Sequence, residues 1–234
     1  MIELKHDDPP HKLEQRKNNP NDNGTPENPR KAWSNFYRNN GKQEIHEKLI
    51  PLQGDLCVYC ENKLDKHGFH IEHILSKTQN PLLTFEYSNL SLSCVSDEKK
   101  FKDKEIDDNS ISCGHAPLKK TNTYNENLFI KPTEANCNSL FSYEINGKIG
   151  SNNNNSEFDK QRVEHTLEVL NLNCYRLIRE REEIILQGYE IIKELQGEPE
   201  LLNHFFELEF EKVNSKYLFP FVNARKEHYS LFKK

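Results

Sequence analysis

Cys57-Val58-Tyr59-Cys60, Phe69-His70-Ile71-Glu72-His73-Ile74-Leu75, Asn89-Leu90, Cys94 and Cys113-Gly114-His115 follow one another in that order. Two kinds of metal chemistry are implied. Cys57-x-x-Cys60 puts two thiolates on one tight knuckle, and Cys94 and Cys113 could close a zinc tetrahedron from the far side. Cys137 is the alternative fourth ligand, while Cys174, after Leu170-Asn171-Leu172-Asn173, reads as an ordinary buried residue. Imidazole and carboxylate instead suit a catalytic divalent ion. Glu72 offers a hard oxygen ligand next to His73, a base whose ordinary pKa lies near working pH. His115 and Asn89 are the neutral groups that could complete that site. His70 competes with His73 as the base. On a regular strand His70 and Glu72 share a face and His73 points away, so the strand must end or twist at this box if Glu72 and His73 are to cooperate.

Outward from this block, composition sets bounds. The chain has 234 residues, enough for one large domain or two small ones, with 34% hydrophobic and 29% charged residues. No apolar run is long enough for a transmembrane helix, and the N-terminus lacks the apolar stretch of a signal peptide. A cytoplasmic protein without a membrane role is expected. Six cysteines in that compartment argue for metal or free thiols over disulfides. A net charge of −5 does not by itself favour nucleic acid, whose affinity comes chiefly from phosphate contacts. Lys119 and Lys120 are a weak local basic candidate. Lys99, Lys100, Lys102 and Lys104 alternate with acids and read as a solvated loop.

The spacing predicts an α+β, mostly helical protein. Residues 1–32, rich in Pro and Asn, read as a flexible arm. Residues 33–132 form the metal module. It opens with a helix bearing Trp33, Phe36, Tyr37, Ile45 and Leu49, which Pro51 stops. Residues 69–75 read as a strand, 89–94 as a second ordered segment and 95–112 as a polar insertion. Residues 133–234 hold a hairpin from Phe141 to Ile149, with Asn146-Gly147 favouring a type I′ turn, and then helices. Ser156 is the expected first N-cap. The apolar stripes Ile178, Ile185, Tyr189, Ile192 and Leu202, Phe206, Phe210, Val213 follow. The first stripe, or the arm, is the expected docking surface for a partner.

A CxxC knuckle, an acidic-His pair on a strand, an Asn-Leu step and further cysteines resemble the HNH endonucleases, built on a ββα-metal core. The resemblance implies hydrolysis of phosphodiester bonds, with DNA favoured and RNA possible. It makes His73 the general base, Glu72 and His115 the ligands of Mg2+ or Mn2+, and Asn89 the residue holding the loop that orients His73. It also implies structural zinc on Cys57, Cys60, Cys94 and Cys113. The wide Cys94–Cys113 spacing and the Cys113-Gly114-His115 ending depart from the family pattern. Gln53 to Glu61, His70 to Ile74, Cys113 to His115, Pro132, the 141–149 hairpin and Leu170 to Asn173 are similar to a narrower group. These are the PtuB nuclease subunits of Septu-type anti-phage systems and their retron-associated relatives. That likeness implies a PtuA partner, an ABC/SMC-type ATPase. The competing class is a zinc-stabilised, non-catalytic adaptor binding nucleic acid or protein. It needs the cysteines but has no use for Glu72-His73.

Overall fold

The computed structural model describes residues 1–19, 26–96, 107–121, 123–211 and 217–232. Lys99, Lys100, Lys102, Lys104 and Val213 lie outside them. The fold is α+β and mostly helical, with two separate two-stranded antiparallel sheets. Among the described residues no helix is long and apolar enough to cross a membrane.

α1 (His11–Lys17) is followed by α2 (Pro29–Phe36) and α3 (Lys42–Gln53), the last two joined by a π-helical stretch over Tyr37–Gly41. Asn28 caps α2 by accepting from the Lys31 N–H, and Pro29 takes the first position, where no donor is lost. Pro51 does not stop α3. It sits in the last turn, where its ring removes one N–H only. The helix ends at Gly54, left-handed at φ 65°, and the Asp55 N–H closes onto Ile50 O at 2.9 Å.

β1 (Phe69–His73) pairs antiparallel with β2 (Leu90–Cys94), Glu72 opposite Ser91 and His73 opposite Leu90. The buried Gln53 side chain extends this sheet. Its Nε2 donates to Leu92 O (2.9 Å) and its Oε1 accepts from Leu92 N–H (2.7 Å). The knuckle joins the same point, because Val58 N–H also reaches Leu92 O (3.1 Å). A further departure follows β2. The described residues there form short 3₁₀ turns, Asp108–Ser110, Cys113–His115 and Pro117–Lys120, and not the α-helix of a ββα unit. Cys113 at φ 60° is incompatible with helix, and it turns the chain so that Cys113 and His115 serve different sites.

β3 (Phe141–Tyr143) and β4 (Ile149–Ser151) form the expected hairpin, but the turn is not type I′. Only Gly147 has a positive φ, and Glu144 N–H bonds Lys148 O at 2.9 Å, so the loop is longer. Packing explains this: a Cβ on Gly147 would lie 2.1 Å from Ile178 O, so the turn lies directly on the next helical layer. That layer comprises α4 (Glu157–Val169), α5 (Tyr175–Leu195), α6 (Pro199–Phe210) and α7 (Val222–Tyr229). Ser156 caps α4 through Asp159 N–H (3.1 Å). Ile185 and Ile192 are buried and Tyr189 bonds His228 (2.9 Å). The stripe expected to dock a partner is therefore internal.

Residues 1–19 are not a free arm. Met1, Ile2, Leu4 and Leu13 are buried, and Ile2 and Leu4 donate to Val58 O and Pro132 O at 2.9 and 2.8 Å. The segment is poor in apolar side chains, but these few are inserted and the backbone is clipped on both sides of them. The buried Glu61 carboxylate joins the Met1 amine, the Tyr143 hydroxyl and Asn223. The main hydrophobic core runs from Met1 to Ala224.

Candidate active site

The four thiols foreseen as one site do converge. Cys57 and Cys60 sit on a turn closed by Cys57 N–H to Asn62 O (2.8 Å) and Glu61 N–H to Cys57 O (3.0 Å). Cys94 ends β2. Cys113 is delivered by its left-handed backbone and by its N–H to Leu170 O (2.7 Å). All four sulfurs lie within 4.8 Å of one another and are buried, and no disulfide forms. The Cys60–Cys94 Sγ separation of 3.7 Å matches the edge of a ZnS₄ tetrahedron, about 3.8 Å for Zn–S bonds of about 2.3 Å. Burial pushes the Cys57 thiol up, yet hydrogen bonds from Cys113, Cys60 and Cys94 outweigh it and hold Cys57 well below its ordinary value. Cys94 and Cys113 are correspondingly raised. Sulfurs this close share negative charge poorly without a cation between them, so the donor set fits zinc. Cys137 lies elsewhere, its Sγ against Pro132 O (3.6 Å), and Cys174 faces Ser110 O (3.7 Å).

A second candidate site lies along β1. A cavity of about 690 Å³ is lined by His70, Glu72, His73 and His115 together. Strand alternation is broken because β1 ends at His73, which lets Glu72 and His73 reach one space. His70 donates from Nδ1 to Val95 O (2.9 Å), leaving the Nε2 lone pair 3.3 Å from Glu72 Oε2. The His115 ring stacks on His70 with centroids 3.9 Å apart. A Cβ on Gly114 would fall 2.6 Å from Glu72 Oε2 and 2.7 Å from His70 Nε2, so the missing side chain leaves space where these donors point. Two imidazoles and one carboxylate thus line this space, whereas among the described residues only the four sulfurs gather into a ready-made ligand group. His70, first read as a rival base, has the outer hydrogen bond characteristic of a ligand.

His73 is differently placed. Its Nε2 donates to Thr84 O (3.0 Å), its Nδ1 lies 3.3 Å from Lys77 Nζ, and its ring meets Trp33 edge-on at 4.5 Å. Burial, reinforced by the Lys77 ammonium, pushes its pKa down to about 3. The ring is neutral at working pH, with a lone pair on Nδ1. Asn89 does not face the cavity. Its Oδ1 accepts from Leu75 N–H (2.8 Å), and its Nδ2 donates to Leu75 O (3.0 Å) and Leu83 O (3.3 Å). That pins the loop carrying Thr84, the residue that sets the His73 tautomer.

Arg30 from α2, Lys77, Lys119 and Lys120 also line the cavity. Lys119 contacts Glu72 and donates to the Tyr59 hydroxyl (3.1 Å). Burial works to raise the Glu72 carboxyl, but the Lys119 ammonium outweighs it and holds it well below the carboxylate range. Arg30 and Lys77 escape a sequence reading because neither belongs to a basic cluster: Arg30 pairs only with Lys31 after Pro29, and Lys77 stands alone between Ser76 and Thr78. Only the spacing of Lys77 four residues after His73 hints at proximity. Trp33 is buried and also forms part of the cavity wall.

A cluster of four thiols that fits zinc therefore lies near a cavity lined by imidazole, carboxylate and cationic groups. No family model matches the chain. It is 33% identical over 181 residues to "Retron Vc95 putative HNH endonuclease" of Vibrio cholerae serotype O1 biovar El Tor, covering 76% of this chain and 79% of that protein. It is 28% identical over 188 residues to "Retron Ec83 putative HNH endonuclease" of Escherichia coli, covering 68% and 72%. The chain belongs to the HNH endonuclease family.

Proposed function

We propose that this chain is a metal-dependent nuclease that hydrolyses phosphodiester bonds, DNA being favoured over RNA, with His73 as general base. The observation that carries this reading is the meeting of a neutral His73 Nδ1 with Glu72, His70 and His115 on one cation-walled cavity. Thr84 O fixes the proton on Nε2, so Nδ1 is the atom that accepts a proton from water. Asn89 keeps that carbonyl in place. Glu72, His70 and His115 would hold Mg2+ or Mn2+, which would neutralise charge developing on the phosphate. Lys119 engages Glu72 and orients its carboxylate, while Arg30, Lys77 and Lys120 meet neighbouring phosphates. The zinc on Cys57, Cys60, Cys94 and Cys113 is structural.

The Septu likeness and the retron names of the two relatives support an effector role in anti-phage defence. The partner would be a PtuA-like ATPase, and the location the cytoplasm. The net charge of −5 is consistent with delegating part of nucleic-acid capture to such a subunit. The test is cleavage of DNA and RNA substrates with Mg2+ or Mn2+, with and without the co-expressed ATPase, comparing wild type with His73→Ala. Cleavage lost in the variant supports the reading. A zinc-loaded, folded wild type that cleaves neither polymer in either setting leaves the adaptor reading in its place.

A further inference from the structure

Tyr124 lies between the Pro117–Lys120 turn and Phe129 in the chain, and it lines the cavity shared with Glu72 and His73. The ring is fixed by Phe129 (centroids 5.4 Å) and faces His165 (6.3 Å). Its hydroxyl oxygen is buried and has no hydrogen-bond partner among the described residues. The other interior tyrosines behave differently. Tyr59, Tyr87, Tyr143, Tyr189 and Tyr229 all set their hydroxyls against a partner at 3.2 Å or less. A buried hydroxyl without a partner is destabilising, and phenylalanine would fill the same space without that cost. The hydroxyl therefore has no internal use that the ring alone does not serve. Burial, with the nearby Glu126 and Glu72 carboxylates, raises its pKa, so it stays protonated and can only donate to an incoming acceptor or accept weakly.

We propose that Tyr124 is a further catalytic residue, whose hydroxyl donates a hydrogen bond to a non-bridging oxygen of the phosphate being hydrolysed; the role rests on the nuclease reading above. In that step water oxygen bonds to phosphorus, its proton passes to His73 Nδ1, and the P–O bond to the leaving oxygen breaks, that oxygen taking the electron pair and then a proton from solvent water. Tyr124 keeps its own proton throughout. The Phe129 contact holds the ring beside the cavity before substrate arrives, so the hydroxyl can donate as charge builds on the equatorial oxygens.

The experiment is Tyr124→Phe in the full chain, assayed on the best nucleic-acid substrate beside wild type and His73→Ala, with thermal unfolding of each. Loss of one charge-assisted donor predicts kcat lowered about 10–100-fold, KM within about threefold, and Tm equal to wild type or higher. A kcat within twofold of wild type, with His73→Ala inactive, overturns the Tyr124 role alone. So does a rise in KM at constant kcat, which would make the hydroxyl a ground-state contact, or a fall in Tm, which would make it structural. A folded wild type that hydrolyses no substrate overturns the nuclease reading itself, and the Tyr124 role with it.

Discussion

His73 shows how much of the site depends on single hydrogen bonds. The Thr84 carbonyl on Nε2 chooses the tautomer, and without it either nitrogen could carry the proton. His73→Ala should lower the cleavage rate about 10²–10⁴-fold, the usual worth of a positioned base. The ring is also buried against Trp33 at 4.5 Å, so the substitution leaves Thr84 O unsatisfied and costs on the order of 1–3 kcal/mol of stability. The assay belongs well below the variant's Tm, checked by circular dichroism. A rate near wild type would remove His73 from the mechanism. Gly114 makes a complementary case. Its φ is unremarkable, so alanine does not strain the backbone, but the new Cβ would sit 2.6 Å from Glu72 Oε2 and 2.7 Å from His70 Nε2. Gly114→Ala should weaken Mn2+ binding, read by calorimetric titration, at least about tenfold, or about 1.4 kcal/mol, with little change in Tm. Unchanged Mn2+ affinity would place the ion elsewhere.

At the scale of elements, the four sulfurs are the point where the knuckle, β2 and the Cys113 turn all meet, beside a few hydrogen bonds such as Gly114 N–H to Ser93 Oγ (3.0 Å). Zinc is thus expected to hold this layer together, with a binding free energy on the order of 10 kcal/mol coupled to folding. One zinc per chain should be found by elemental analysis, and Cys57→Ser or Cys60→Ser should cost solubility and cooperative unfolding before chemistry can be assayed. A metal-free, cooperatively folded double variant would count against the site. This layer was also the most legible in the sequence. Thiol chemistry restricts what CxxC and two later cysteines can do, and an acidic-His box on a strand reads directly from alternation. Other parts were hidden, for identifiable reasons. Pro51 looks like a helix stop, but a last-turn proline loses a single N–H. Asn146-Gly147 looks like a type I′ turn, yet the contact with Ile178 O at Gly147 selects a longer loop. Met1 to Leu13 look too polar to fold, because composition averages over the few side chains that are buried, Met1, Ile2, Leu4 and Leu13 among them.

For the whole molecule, the relevant quantity is where charge lies. A chain of net −5 gathers Arg30, Lys77, Lys119 and Lys120 around one cavity. Arg30 comes from α2, Lys77 from the loop after β1, and Lys119 and Lys120 from a 3₁₀ turn, so only the fold brings them together. Of these, Lys119 engages Glu72, while Arg30 and Lys120 are exposed and are the ones free to meet phosphates flanking the scissile bond. Each phosphate neutralised on duplex DNA adds about 0.9 to the slope of log affinity against log salt concentration. The double substitution Arg30→Gln and Lys120→Gln should therefore lower the magnitude of that slope by about two and weaken binding at low salt. His73 and the zinc knuckle should be unaffected, so cleavage at saturating DNA should stay close to wild type. The same two-charge change at Lys5 and Lys226, away from the cavity, should leave the slope unchanged although net charge moves equally. Fluorescence anisotropy with a non-cleaved duplex across a salt series measures both. Equal slopes for the two double variants would show that overall charge, and not the wall of this cavity, governs association.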